Sequence, residues 1–296
     1  MKLYYTDSYE YLAKKLSKYF ELGKMDKNHF SDGESYFRFL DNIKREDILI
    51  LGGTISNKEV LDLYDMACAA SMLGAKSINL IIPYFGYSTM ERAEKSGEVV
   101  KGKIRARLFS SIPRAIEINT MYLLDLHVDG LMHYTEGTLH SVHMGTKSLI
   151  KKVIKKINSK KLVLASPDAG RVKKVSKLAK ELRLPFALAL KDRNGEEVSS
   201  ITAHGNVKGK DVLIYDDMIR SGGTIIEAVE NYKSLGAKDI YVMTSHGLFT
   251  SEKLFNNKEI KKIFVTNSHP NVFKYKDRLE ILDISKIIKE SINENL

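Results

Sequence analysis

Between Asp211 and Val229 the chain reads DVLIYDDMIRSGGTIIEAV. An apolar run, Val212 to Tyr215, ends in the acidic pair Asp216 and Asp217; Arg220, Ser221, Gly222, Gly223 and Thr224 follow, and a helical pattern begins at Ile225. Glycines let backbone N–H groups turn inward around an anion, and a helix starting at the same point presents the positive end of its dipole. Two carboxylates beside such an anion hole suit a diol or a magnesium ion. A sugar phosphate would satisfy every part. An ordinary strand-to-helix turn explains the glycine pair, but leaves the acidic pair and Thr224 without a purpose.

Similar tips recur along the chain. LVLASPDAGRVKK places Asp168 and Gly170 after an apolar run, and MYLLDLH delivers Asp125 and His127 to the end of another. In open α/β sheets the ligand-bearing edge is the carboxyl end of the strands. A histidine satisfied by neighbouring backbone is the plainer reading of His127. KDRNGEEVSSI sets Lys191 and Arg193 two residues apart in what reads as a mobile loop; they suit closure over phosphates, or a solvated hairpin tip. HFSDGESYFRF holds Phe30, Asp32 and Glu34 around a Gly33 turn, by itself an ordinary acidic turn. The long charged segment after IIPYFGYS carries Arg92, Lys95, Lys101, Lys103, Arg105 and Arg107, and a loop of that length is often functional. Within it, GEVVKGK matches the spacing of a nucleotide-binding P-loop. Ile104 stands where a magnesium-holding hydroxyl belongs and no strand enters Gly97, so the match is rejected. His133, His140 and His143 fit no metal-ligand spacing and read as surface or packing residues.

These tips need strands and helices to carry them. Apolar runs at 48–51, 78–82, 121–126, 162–165, 186–190, 212–215, 240–244 and 263–266 alternate with helical segments, which predicts parallel sheets covered by helices. MLGAKSINLIIPY and SLGAKDIYVMTSH echo one another, suggesting two similar α/β halves with a boundary near residue 145. The expected domains are 1–145 and 146–296, with the C-terminal DISKIIKESINENL as an amphipathic helix that docks on the first. Lysines of TKSLIKKVIKKINSKK lie opposite a helical apolar stripe, a solvated face.

The chain has 296 residues, enough for two ordinary domains, and a net charge of +10. Such a charge fits nucleic acid or highly phosphorylated small ligands; aromatics are not interleaved with the lysines, which disfavours nucleic acid. No apolar run approaches the roughly 20 residues that span a bilayer, and MKLYYTDSYEYLAKKL has no secretory h-region, so a cytoplasmic protein is expected. The single cysteine, Cys68, excludes an internal disulfide or cysteine-rich zinc site.

In order, FSDGE, PYFGYS, the charged segment, LDLH, SPDAG, the Lys-x-Arg pair and DDMIRSGGT resemble the ribose-phosphate pyrophosphokinases of the phosphoribosyltransferase-like superfamily. The resemblance covers nearly the whole chain. It implies an α/β fold of two phosphoribosyltransferase-like domains, each a mainly parallel sheet flanked by helices. It implies Mg2+-dependent transfer of diphosphate from ATP to the anomeric hydroxyl of ribose 5-phosphate, giving phosphoribosyl diphosphate and AMP. It also implies a homo-oligomer, a hexamer or its dimer unit, with no nucleic acid or membrane partner. By position, Ser221 to Thr224 would take the 5-phosphate and Asp216 and Asp217 the ribose hydroxyls, with Arg220 beside them. His127 and Asp168 would match the magnesium-associated positions, and Lys191 and Arg193 the catalytic basic pair. Phe30, Asp32 and Glu34, with Arg92 and Lys103, would match the nucleotide side, the Phe30 loop reaching a neighbouring subunit's site.

Two departures bear on function. Thr89, Met90 and Glu91 replace the family's common Arg-Gln-Asp, removing the arginine that stacks on adenine. Arg220 stands at a usually acidic position, where it either adds a direct phosphate contact or disturbs the metal and ribose geometry. They motivate two alternatives, a non-catalytic regulatory paralogue and a phosphoribosyltransferase that consumes the diphosphate.

Overall fold

The structure is a computed structural model that describes residues 1–194 and 197–295; the side chains of residues 191–202 lie outside that description. The chain divides into a first compact unit, Met1–Gly145 with Ile284–Leu296, and a second, Thr146–Asp283.

The first unit runs β1 (Lys2–Tyr5), α1 (Glu10–Leu16), β2 (Glu21–Leu22), β3 (Met25–His29), β4 (Ser35–Phe39), β5 (Asp47–Leu51), α2 (Asn57–Met72), β6 (Ser77–Ile82), α3 (Lys101–Ser110), β7 (Ile118–Leu124) and β8 (Leu139–Met144). Its sheet has the order β2-β1-β5-β6-β7-β8 and every pairing is parallel. Ile48 to Leu51 and Ile78 are fully buried, as are Leu80 to Ile82. Burial on both faces is what a parallel sheet sandwiched by helices demands, hence the unbroken apolar runs. Val60, Leu63, Met66, Ala67 and Ala70 of α2 pack on it. The β3–β4 hairpin stands apart as a two-stranded antiparallel sheet, its base tied to the core through Met25, Phe37 and Phe39.

The second unit runs α4 (Lys147–Ile157), β9 (Leu162–Ser166), α5 (Val172–Leu182), β10 (Phe186–Asn194), β11 (Glu197–His204), β12 (Asp211–Ile219), α6 (Gly223–Ser234), β13 (Ile240–Gly247), β14 (Ile260–Thr266) and β15 (Glu280–Leu282); α7 (Ser285–Glu294) then returns to the first unit, where it packs on α1, β7 and β8. The sheet order is β11-β10-β9-β12-β13-β14-β15, parallel except for the β10–β11 pair. Setting aside the hairpin and β11, both sheets share one order: the first strand is one in from the edge, the second lies outside it, and the rest follow on the other side. The two LGAK segments do the same work in each. Gly74 and Gly236 follow α2 and α6 with positive φ, and Ala75 and Ala237 donate back to Ala70 and Tyr232, closing each helix before a central strand.

Several elements depart from the sequence reading. Strand β12 continues through both aspartates to Ile219, because β13 continues to Gly247 and supplies ladder partners, Asp216 opposite Thr244 and Met218 opposite His246. Lys191 and Arg193 belong to strand β10, with Lys191 opposite Ile201 and Arg193 opposite Val198, not to a loop. Strand β1 is too short for its burial to be read from an alternation of polar and apolar residues, and β8 is hidden by its histidines.

Candidate functional site

In a sheet of this order the crevice lies beyond the carboxyl ends of the two strands between which the order reverses. Those strands are β1 and β5 in the first unit and β9 and β12 in the second. The first crevice is filled: the Tyr9 ring lies so close over Gly53 that any side chain there would overlap it, and the buried Glu59 accepts from Thr6 Oγ1 and Ser8 Oγ, both at 2.7 Å. The second crevice is charged.

Beyond β9, Ser166 Oγ donates to the Asp168 carbonyl at 2.8 Å, and Asp168 Oδ1 accepts from the Arg171 N–H at 3.1 Å, capping the short turn that opens α5. The Arg171 side chain extends to β12. Its Nε lies 3.4 Å from Asp216 Oδ1 and its Nη1 3.0 Å from Asp217 Oδ1. All three side chains are enclosed, with 14% of the arginine, 11% of Asp216 and 1% of Asp217 exposed. Burial, then the neighbouring Asp217 charge, pushes the Asp216 carboxyl well above the usual carboxylate range; Arg171 opposes the shift, while Asp168 adds to it. Asp216 and Asp217 thus share the Arg171 guanidinium.

After β12, Arg220 to Thr224 forms the turn. Gly222 has φ +88 and stands as the N-cap of α6, a backbone conformation that L side chains rarely adopt. Arg220, Ser221, Gly223 and Thr224 are exposed, at the helix end whose first N–H groups have no partner within the helix itself. Helix α6 is pinned to the sheet by Tyr232, whose hydroxyl donates to the Ser166 carbonyl at 2.7 Å and to the Ala187 carbonyl at 3.2 Å. Ser166 also holds Asp168, so one side chain fixes the helix against the strand that leads to the carboxylates. An anion at the helix start and a polyhydroxylated or cationic group at the carboxylates are what this edge can bind.

The structure therefore brings Asp168, Asp216, Asp217 and the 220–224 turn together in the second unit. The charged side chains of Lys191 and Arg193 lie outside the described residues. Phe30, Asp32, Glu34, Arg92, Lys103 and His127 belong to the first unit. Phe30 is 56% exposed at the tip of the β3–β4 hairpin, where Gly33 N–H donates to its carbonyl and Glu34 N–H to Asp32 Oδ1. Arg92 is exposed beside Glu91 and Glu94, and Lys103 lies over the Tyr134 ring at 5.5 Å. His127 is half-buried just past β7, after Asp125, whose φ is +40. His143 has a backbone role, its Nε2 accepting from Leu126 N–H. Among the described residues no group of three His, Cys, Asp or Glu side chains is arranged to hold a metal.

Sequence reasoning missed Arg171 and a cluster around Tyr87. The Tyr87 hydroxyl donates to Asn57 Oδ1 at 2.6 Å, Arg105 Nη2 donates to the same oxygen at 3.0 Å, and the Arg105 guanidinium lies over the Tyr87 ring. The signal for Arg171 was a cation one helical turn after Asp168, which only the position of β12 turns into a contact. A cavity of about 490 Å³ opens in the first unit at the starts of β5, β6 and β7, lined by Asp47, Ser77 and Ile118 among others.

Residues 1–112 match the family described as the N-terminal domain of ribose phosphate pyrophosphokinase, and residues 166–295 match the phosphoribosyl synthetase-associated domain. A curated relative from Mycoplasma genitalium, a ribose-phosphate pyrophosphokinase, is 34% identical, the alignment covering 96% of this chain and 86% of the relative. The Bacillus subtilis protein of the same name is 30% identical, over 99% of this chain and 93% of its own. The crystal structure of phosphoribosylpyrophosphate synthetase from Mycobacterium smegmatis superposes with a TM-score of 0.86 at 25% identity, covering 99% of this chain and 97% of that one.

Proposed function

Because the chain belongs to the ribose-phosphate pyrophosphokinase family, we propose that it transfers diphosphate from ATP to the anomeric hydroxyl of ribose 5-phosphate, releasing AMP and phosphoribosyl diphosphate. The observation that carries the reading is one edge of the second unit: Asp168 and the Asp216–Asp217 pair at the switch point, with the Gly222 turn and the α6 N-terminus directly following on the same strand. Backbone N–H groups at 222–224, with Ser221 and Thr224, hold the 5-phosphate; Asp216 and Asp217 accept from the ribose hydroxyls. Lys191 and Arg193 neutralise charge on the transferring group.

Attack of the anomeric oxygen on the β-phosphorus breaks the bond to the α-phosphate oxygen, and the hydroxyl proton leaves as AMP departs. Little covalent chemistry is asked of the protein, so alignment and electrostatics supply the rate. Magnesium suits this edge, since it prefers oxygen donors and is held by one or two carboxylates together with substrate phosphates and water; on this edge Asp168 matches a magnesium-associated position of the family, and His127 of the first unit matches another. When bound it would neutralise phosphate charge. The nucleotide side is assigned to the first unit, through Phe30, Asp32, Glu34, Arg92 and Lys103. We assign the enzyme to the cytoplasm and to a homo-oligomer, with neither nucleic acid nor membrane as partner; among the described residues no helix is long and apolar enough to cross a membrane.

Incubation with Mg2+, ATP and ribose 5-phosphate should give AMP and phosphoribosyl diphosphate in equal amounts. Folded protein that gives neither product with any nucleoside triphosphate overturns the reading. Repeating the assay across triphosphates tests the nucleotide preference left open by Thr89 and Met90.

A further inference from the structure

The carboxylates assigned to the sugar are already engaged. Arg171 reaches Asp216 and Asp217 at once, 3.4 and 3.0 Å away, and only 14% of its side chain is exposed. Its own backbone is fixed, because Asp168 Oδ1 accepts the Arg171 N–H and Val172 begins α5. Release of the carboxylates therefore needs only rotation of the arginine side chain, with no movement of the helix. An ionised carboxylate offers about four lone-pair positions. Guanidinium donors, a hydrated divalent cation and sugar hydroxyls compete for the same ones.

We propose that Arg171 is the resident counter-ion of this site, and that magnesium and ribose 5-phosphate bind in exchange for it. The inference rests on the assignment of this edge to ribose 5-phosphate. Arg171 is thereby a positioning residue: it keeps the buried acidic pair compensated while no ligand is bound, and it sets the threshold a ligand must exceed. Three structural features converge on this. The Arg171 charge opposes the cost of burying Asp216, its reach spans both members of the pair, and the turn assigned to the phosphate begins three residues beyond Asp217. A sugar lacking the phosphate gains nothing from that turn, so the exchange favours the phosphorylated substrate over free ribose.

The test is Arg171→Gln, with Arg171→Lys as the charge-retaining control, in the full chain. Magnesium alone is titrated by calorimetry, and ribose 5-phosphate is then titrated at fixed magnesium. Exchange predicts that the Gln variant binds magnesium about tenfold more tightly than the parent, with the Lys variant between them, and that its KM for ribose 5-phosphate falls. Equal or weaker magnesium binding by a Gln variant with a cooperative unfolding transition overturns the proposal. A second measurement uses the unaltered protein and so does not depend on a variant folding. Phenylglyoxal labelling, mapped by peptide mass, should rise at Arg171 when magnesium and ribose 5-phosphate are added; unchanged or reduced labelling overturns the exchange. The magnesium titration keeps this outcome separate from the activity assay, since a protein without turnover still reports whether the guanidinium and the metal compete.

Discussion

A Cβ placed on Gly222 would come within 2.9 Å of the Leu254 Cβ. The turn that opens α6 is thus packed against the short helix at Lys253–Asn256 as well as bent by its own backbone. Gly222→Ala meets both obstacles, a positive φ that costs about 1–2 kcal/mol and a crowded contact that costs about 1–3 kcal/mol. The expected result is a lower Tm together with loss of ribose 5-phosphate binding by calorimetry. A variant with parental affinity would show that the turn is not the phosphate cradle.

Arg220 is exposed at the mouth of the same turn, and its carbonyl accepts from Thr250 N–H. Arg220→Ala should raise the KM for ribose 5-phosphate about tenfold, the loss of one charge-assisted phosphate contact, while kcat changes little. A fall in kcat at constant KM would place the arginine on the transferring group instead.

Lys191→Ala and Arg193→Ala should each lower kcat on the order of 10² to 10³, the usual loss when one preorganised electrostatic group is removed. Thermal unfolding should remain close to that of the parent. Parental turnover in both variants would remove them from the catalytic roles assigned above.

His269 supplies a pH prediction. Burial, then the charges of His246 and Lys274, lowers its pKa from 6.5 to about 4, and its Nδ1 accepts from the Asn271 N–H. Because the folded pKa is depressed, the unfolded chain takes up this proton first on acidification. Stability from this group is present above about pH 6.5 and is lost as pH falls towards 4, amounting to about 3 kcal/mol across the window. Urea unfolding at several pH values should show this slope, and His269→Asn, which retains an acceptor for Asn271, should flatten it. An unchanged slope would assign the acid sensitivity to other groups.

Much of this architecture was legible because fully buried parallel strands write themselves as apolar runs, and because LGAK closes a helix in the same way wherever it occurs. The acidic pair, the Gly222 turn and Asp168 were legible for a related reason, since they follow those strands by only a few residues. Arg171 was not, because its meaning depends on β9 and β12 being neighbours in space, whereas some 45 residues of α5, β10 and β11 intervene in the chain. The Tyr87–Asn57–Arg105 cluster was hidden likewise, as its members lie on three separate segments. The extent of β12 was misread because aspartate disfavours strands in isolation, while β13 alongside offered the partners that propensity cannot foresee.

The return of α7 to the first unit imposes an order of events during synthesis. Ile287, Ile288 and Ile292 are buried there, and they leave the ribosome only after every residue of Thr146–Asp283. The second unit is one continuous stretch, and domains generally fold as units. The first, although translated earlier, keeps an apolar patch uncovered until these three isoleucines emerge. The oldest part of the nascent chain is thus the part that waits longest for its last contacts, and a chain cut before Ser285 would leave the face that Ile287, Ile288 and Ile292 cover open to aggregation.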